Sequence, residues 1–202
     1  MSQILNLFPV PVLKGHIDPP EGLFEGIADL LEDCHKGKWA SETGKSTGEL
    51  GMNLHQNVPQ VSKLIDMMMD TIVDYWDNHL KYAPAQIEPT ASWSNWHTYN
   101  DFTGEHSHCN GRLGCHIASV YYLQKDEGGD ICLCDPLDYI RRLTPLQKDN
   151  GDAIIAEPVA TRTGDFLLFP GWIRHRTNRA TNKRQAITVS YTHLTLPTIY
   201  SV

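Results

Sequence analysis

From about Ala91 the chain breaks into short runs rich in β-branched and aromatic residues: ASWSNWHTY, HIASVYYLQ, GDICLC, AIIAEPVA, GDFLLFP and RQAITVS, separated by turn-forming residues. No long helical stripe lies between them. Such runs bury their apolar residues by pairing into a sandwich or barrel, which fixes the fold class as mostly β. The part before Ala91 reads differently. In PEGLFEGIADLLEDCHKG the residues Leu23, Phe24, Ile27, Leu30, Leu31 and Cys34 recur at spacings of three and four, and Gly37 supplies a stop. Val58, Val61, Leu64, Ile65, Met68, Ile72, Trp76 and Leu80 make a second, longer stripe. Met67 to Met69 fall at helical spacing and read as core filler rather than a soft-metal site. Between the stripes, KWASETGKSTGELG reads as a loop; it contains G-K-S but lacks the upstream glycine of a phosphate-binding loop. The two helices are expected to pack outside the β part.

With 202 residues, of which 41% are hydrophobic and 20% charged, the chain can build one domain with a sizeable core. Its net charge of -7, with no basic run longer than Arg141-Arg142 or Lys183-Arg184, argues against a nucleic-acid surface. A small-molecule or peptidyl partner is expected instead. The five cysteines, Cys34, Cys109, Cys115, Cys132 and Cys134, are odd in number and form no C-x-x-C pair, so they read as reduced thiols. The N-terminus lacks the pattern of a secretory leader, and no window approaches the apolar length of a membrane span, so a soluble cytoplasmic protein is expected. The polar stretch Pro136 to Asp152 is too long for a hairpin and is the candidate substrate-facing lid.

Chemistry concentrates in TGEHSHCNG, Thr103 to Gly111. On a strand, residues i and i+2 share a side, so His106 and His108 can face one cavity with their Cα atoms about 7 Å apart. A metal needs a third donor, and GDFLLFPGWIRHRTN offers His175 after a Pro-Gly turn.

From Tyr99 the sequence runs Y-N-D-F-T-G-E-H-S-H, then V-Y-Y-L-Q-K-D-E-G-G-D, then G-D-F-L-L-F-P-G-W-I-R-H-R, with Arg184 nine residues beyond His175. In order and spacing these motifs resemble the iron(II)- and 2-oxoglutarate-dependent oxygenases, particularly their prolyl-hydroxylase-like part. They are closer still to a bacterial and phage branch with a His-x-His-x-Asn segment. The resemblance covers roughly Ser92 to Thr188. It implies a double-stranded β-helix, a squashed jelly-roll or cupin-like barrel of two sheets. One domain over 1–188 would then comprise a helical part, 1–90, and a barrel core, 91–188. It also implies Fe(II), 2-oxoglutarate and O2, with decarboxylation of 2-oxoglutarate coupled to hydroxylation of a substrate the sequence does not name. Carried over by position, His106 takes the place of the first iron ligand and His175 that of the distal one. Arg184 would pair with the far carboxylate of 2-oxoglutarate, a role that suits a guanidinium fork. Tyr122 and Tyr99 would offer phenolic hydrogen bonds to the cosubstrate.

One position departs from the pattern. Where the wider superfamily keeps Asp or Glu two residues after the first His, this chain has His108. Three readings stay open: a three-His site, a carboxylate recruited from Asp130 or Asp135, or a register in which His108 is the first ligand and Asn110 stands in the acid position. The three-His site is preferred, because His106 fits the Tyr-to-His spacing and His108 shares its face. His97 and His116 read as structural or as supports behind the ligands, and Trp93, Trp96 and Trp172 as cavity or core residues. A cupin-type metal-binding protein also uses H-x-H and a later His, but cupins usually add a Glu shortly afterwards, whereas Cys109, Asn110, Gly111, Arg112 and Leu113 follow here. A non-catalytic or virion-associated β-barrel is the remaining alternative.

Val189 to Thr198 match, residue for residue, the translation of a DNA stretch that resembles a transposon-type sequencing-library adapter. Residues 189–202 are therefore expected to be a non-native tail, with His193 outside any site.

Overall fold

The computed structural model describes residues 9–34, 37–39, 42–109, 114–138 and 156–194. In chain order these form β1 (Leu13–His16), α1 (Leu23–Asp33), β2 (Gly37–Trp39), β3 (Glu42–Ser46), α2 (Leu54–Asn57), α3 (Pro59–Asp74), β4 (Gln86–His97), β5 (Ile117–Lys125), β6 (Ile131–Cys134), β7 (Ala156–Val159), β8 (Asp165–Pro170), β9 (His175–Thr177) and β10 (Arg184–Leu194). Seven strands make one sheet in the order β1-β8-β5-β10-β4-β3-β2, and three make a second in the order β7-β6-β9. Together they are the two walls of a double-stranded β-helix, so the expected fold class holds.

Strand alternation divides the apolar residues between two cores. Ile117, Tyr121 and Leu123 of β5, Phe166 and Leu168 of β8, and Ile187, Val189 and Tyr191 of β10 face the helices and pack with Ile27, Leu31, Val61, Leu64, Met68 and Ile72. The intervening residues Ala118, Val120, Tyr122, Leu167, Phe169 and Ala186 face the other way and meet Ile131 and Ile173 between the sheets. β5 is thus buried on both faces, which is why Ile117 to Leu123 read as an apolar run interrupted only by Ser119. Both helical stripes are present with their apolar faces on the sheet. The first helix ends at Asp33, with Cys34 already extended, before Gly37 is reached. The second gives way at Asp74 to a π-turn over Tyr75–His79, which buries Tyr75 and Trp76 rather than continuing regularly to Leu80. α3 starts with Pro59 in its first turn, where a missing amide costs nothing.

Two features differ from the sequence reading. The N-terminal part contributes strands as well as helices, and the stretch read as a loop forms β3, which pairs with β4 through Lys45–Trp96 and Ser46–Asn95. Such edge strands take their hydrogen bonds from a neighbour, so they need no alternating pattern of their own. β10 continues past position 188 to Leu194, paired with β4 on one side and, as far as Tyr191, with β5 on the other. The candidate lid lies largely outside the described residues. Among the described residues no helix is long and apolar enough to cross a membrane.

One ion cluster fixes the far edge of the large sheet. Asp165, 3% exposed at the start of β8, receives Lys14 Nζ at 3.0 Å, His16 Nδ1 at 2.9 Å and the Arg162 amide at 3.1 Å. Burial works to raise this carboxyl, but hydrogen bonds from His16, Lys14 and the Arg162 amide outweigh it and hold the group down to about 2. Because the folded value lies below the ordinary 3.8, the stabilisation is complete above about pH 4 and is lost as pH falls towards 2. Asp165→Asn is expected to lower stability by about 2 kcal/mol at neutral pH and to flatten the acid limb between pH 4 and 2. Denaturant titrations across that window check it; an unchanged limb would contradict it.

Candidate metal centre

The segment after β4 does not form a regular strand, yet it is tied down at Thr103, His106 and His108. Thr177 N donates to Thr103 O at 3.0 Å, and Thr103 N donates to Thr177 Oγ1 at 2.8 Å. His106 and His175 form an isolated antiparallel bridge with both hydrogen bonds made, at 2.9 and 2.8 Å. His108 N donates to Gly171 O at 3.0 Å. The segment therefore extends the small sheet beyond β9 and carries both H-x-H histidines to the β8–β9 turn. Gly171 is required there by close packing: a β-carbon at this position would collide with the Cys115 carbonyl and leave only 2.7 Å to its Sγ. The Pro-Gly turn in the sequence aims His175 inward by this packing.

Ring tautomers follow from the partners. His106 Nδ1 lies 2.8 Å from Gly104 O and His175 Nδ1 lies 3.0 Å from Ile173 O. A carbonyl only accepts, so both Nδ1 atoms carry a proton, and the neutral form of each ring would present its lone pair at Nε2. Backbone carbonyls behind metal-binding histidines commonly act this way. His108 Nε2 stands 3.3 Å from His175 Nε2, with the two rings stacked at 5.0 Å and 4°. His106 completes the group, and the three ligand atoms lie within 4.8 Å of one another. Facing nitrogens at such a distance need a proton or a cation between them. An ion about 2.1 Å from both would subtend roughly 100°, within the range of tetrahedral and octahedral coordination. The donor set therefore fits a divalent transition metal.

The surroundings are largely apolar. His175 is 4% exposed and meets the edge of Phe169 at 5.0 Å. His108 lies between His175 and Trp93, whose ring stacks on it at 5.4 Å and 21°. Burial, with the nearby charge of His106 second, pushes the His108 pKa down to about 4, so the ring is neutral at pH 7 and its lone pair is available.

The other sequence candidates fall in different places. Asp130 pairs with Lys125 Nζ at 3.1 Å, and Asp135 accepts from the Leu137 amide at 2.9 Å; neither belongs to the histidine group. Asn110 lies outside the described residues. Glu105, beside His106, is held by Arg174 at 2.5 Å. His97 is buried, with Nε2 3.2 Å from Thr103 Oγ1, while His116 Nδ1 lies 3.0 Å from Thr192 Oγ1 and its ring meets Trp76 edge-on at 5.6 Å. Tyr122 is fully buried between the sheets, whereas Tyr99 stands 78% exposed in the turn after β4. Arg184 begins β10, paired in register with His97 and Lys125; its side chain lies outside the described part. Sequence reading left out Asn95, although the period-two pattern Trp93, Asn95, His97 within SWSNWH places it on the face that carries Trp93.

In the metal-free protein, His108 contributes a pH dependence of its own. The unfolded chain binds this proton near the ordinary 6.5 and the folded chain only near 4, so stability falls as pH drops from about 6.5 to about 4. His108→Gln is expected to remove part of that slope in denaturant titrations; an identical slope in both proteins would contradict the buried neutral ring.

Comparison with known proteins agrees with this geometry. Residues 91–192 match the family model described as "Putative 2OG-Fe(II) oxygenase". No curated protein is significantly similar in sequence. Among solved structures, a prolyl-4-hydroxylase from Pseudomonas putida superposes with a TM-score of 0.59 at 12% identity, over 92% of this chain and 94% of that one. HygX from Streptomyces hygroscopicus, solved with nickel, 2-oxoglutarate and hygromycin B, gives 0.55 at 16% identity, over 91% and 83%. A Trichoplax adhaerens prolyl hydroxylase, in complex with a hypoxia inducible factor peptide fragment, gives 0.57 at 14% identity, over 90% and 83%. The family match spans half of the chain and the barrel is shared with these enzymes; the protein belongs to the 2OG-Fe(II) oxygenases, which use Fe(II) and 2-oxoglutarate.

Proposed function

We propose that the protein is a 2-oxoglutarate-dependent hydroxylase whose iron is held by three imidazoles, those of His106, His108 and His175. The convergence of Nε2 lone pairs, two of them fixed by backbone carbonyls, carries this reading. When bound, iron and 2-oxoglutarate supply the oxidising chemistry that couples decarboxylation to hydroxylation of a substrate. The chain's own residues position and enclose. Gly104 O and Ile173 O hold the imidazole tautomers, Trp93 and Phe169 wall the rings, and Val120, Leu167 and Ile173 keep the space between the sheets apolar. Three neutral donors add no negative charge, so the ion's charge would be offset only by the cosubstrate carboxylate that Arg184 does not hold.

Arg184 is the proposed anchor for the far carboxylate, and its register opposite His97 at the polar end of the barrel supports that role. Tyr122, buried on the inter-sheet face, is the better supported of the two phenols. Tyr99 would contribute only from the rim. Substrate is proposed to be peptidyl or a small molecule, in a protein that works in the cytoplasm of a bacterium or phage-infected cell. The natural domain is proposed to end near residue 188, with residues 189–202 a non-native tail whose first residues, through Tyr191, complete β10 and the helix-side core. An uninterrupted coding sequence in the re-amplified source locus would contradict that boundary.

Anaerobic titration of the full chain with Fe(II) and 2-oxoglutarate is expected to produce the weak visible charge-transfer band of the chelate, and admission of O2 to yield succinate. His175→Ala should abolish the band. Arg184→Ala should weaken 2-oxoglutarate about tenfold to hundredfold while leaving iron affinity intact. No band and no succinate from the wild type would reject the function and favour a non-catalytic metal-binding barrel.

A further inference from the structure

Asn95 lies in the middle of β4, 7% exposed, and its amide oxygen has no hydrogen-bond partner among the described residues. A buried polar atom left unpaired costs about 1–3 kcal/mol. Native chains keep such groups where a ligand or ordered water completes them. Register settles where the amide points. Asn95 stands directly opposite Ala186 of β10, and directly opposed residues of an antiparallel pair project to the same face. Ala186 belongs to the core between the sheets, with Tyr122, Leu167 and Phe169. On the same face of β4, Trp93 stacks on His108, and His97 reaches Thr103. The orphaned amide therefore sits midway between the histidine trio and the polar end of the barrel, where position 184 pairs with His97.

We propose that Asn95 binds the cosubstrate, its amide Nδ2 donating to a carboxylate oxygen of 2-oxoglutarate. This rests on the reading of the site given under the proposed function, which runs the cosubstrate from the histidines towards Arg184 and hence past Asn95. At neutral pH 2-oxoglutarate offers only acceptors, so the residue that reads it must donate. An asparagine does so without bringing a charge into an apolar space, and a half-turn about its last torsion exchanges oxygen for nitrogen at nearly constant shape. The same exchange explains how an acceptor left open can turn a donor to an incoming anion.

The test uses the full chain loaded with Fe(II) under anaerobic conditions, with 2-oxoglutarate followed by the charge-transfer band and iron affinity by chelator competition. Asn95→Leu, of similar size but without polar atoms, is expected to weaken 2-oxoglutarate about tenfold to hundredfold. Its iron affinity should stay within about twofold of wild type and its ligand-free melting temperature should be equal or higher, because an unpaired buried group has been removed. A merely structural asparagine would give the reverse: lost stability and unchanged cosubstrate affinity. Asn95→Asp, which can only accept and carries a negative charge, should bind 2-oxoglutarate more weakly than Asn95→Leu. Wild-type affinity in the Leu variant overturns the proposal, and so does an Asp variant that binds as well as Leu or better, since position 95 would then not be facing the anion. A wild type that shows no band defeats the oxygenase reading itself, whereas a wild-type band with unaffected variants removes only the role of Asn95. Should the Asp variant not fold, the affinity of the Leu variant decides for or against the proposal.

Discussion

The antiparallel bridge between His106 and His175 is the contact on which the site depends. Two backbone hydrogen bonds, at 2.9 and 2.8 Å, join an irregular segment to a strand of only three residues. Neither partner would be held by local propensity. The bridge lines up their rings with centroids 4.3 Å apart, and the bond from His108 N to Gly171 O brings the third ring into the same space. The two cores serve this arrangement from a distance. The helix-side core keeps the large sheet rigid, and the inter-sheet core sets the spacing at which β9 faces it.

Electrostatics follow from the same packing. A carboxylate two residues after His106 would bring a negative charge into a pocket walled by Trp93 and Phe169; an imidazole brings a neutral donor that burial keeps neutral, with its pKa near 4. The nearby carboxylates are engaged elsewhere, Glu105 with Arg174 and Asp130 with Lys125. The polar groups of the barrel instead form a line along β4, from Trp93 beside the histidines through Asn95 to His97 and Thr103.

Much of this was legible in the sequence because period and turn chemistry carry it. Helical stripes marked the faces of α1 and α3, the doubly apolar HIASVYYLQ marked a central strand, and H-x-H with a later Pro-Gly-x-x-x-His marked the donor trio. Features that depend on a partner across a sheet were not legible. β3 has no pattern because β4 supplies its bonds, and the π-turn at Tyr75–His79 answers to Tyr75 Oη donating to Pro11 O at 2.7 Å, a contact between residues far apart in sequence. Asn95 shares a period-two face with Trp93 and His97, but only its register with Ala186 shows that this face is the interior. Tyr99 shows the converse: motif spacing groups it with the cosubstrate, but a turn with Asn100 at φ 69° leaves its ring in solvent.

The central claim is a metal centre made of three imidazoles and no carboxylate. X-ray absorption of the anaerobic Fe(II)-loaded protein, before cosubstrate is added, counts imidazoles directly through their multiple-scattering signature. The account predicts three in the wild type and two after His108→Ala. Two imidazoles with a carboxylate in the wild type, unchanged by that substitution, would contradict it.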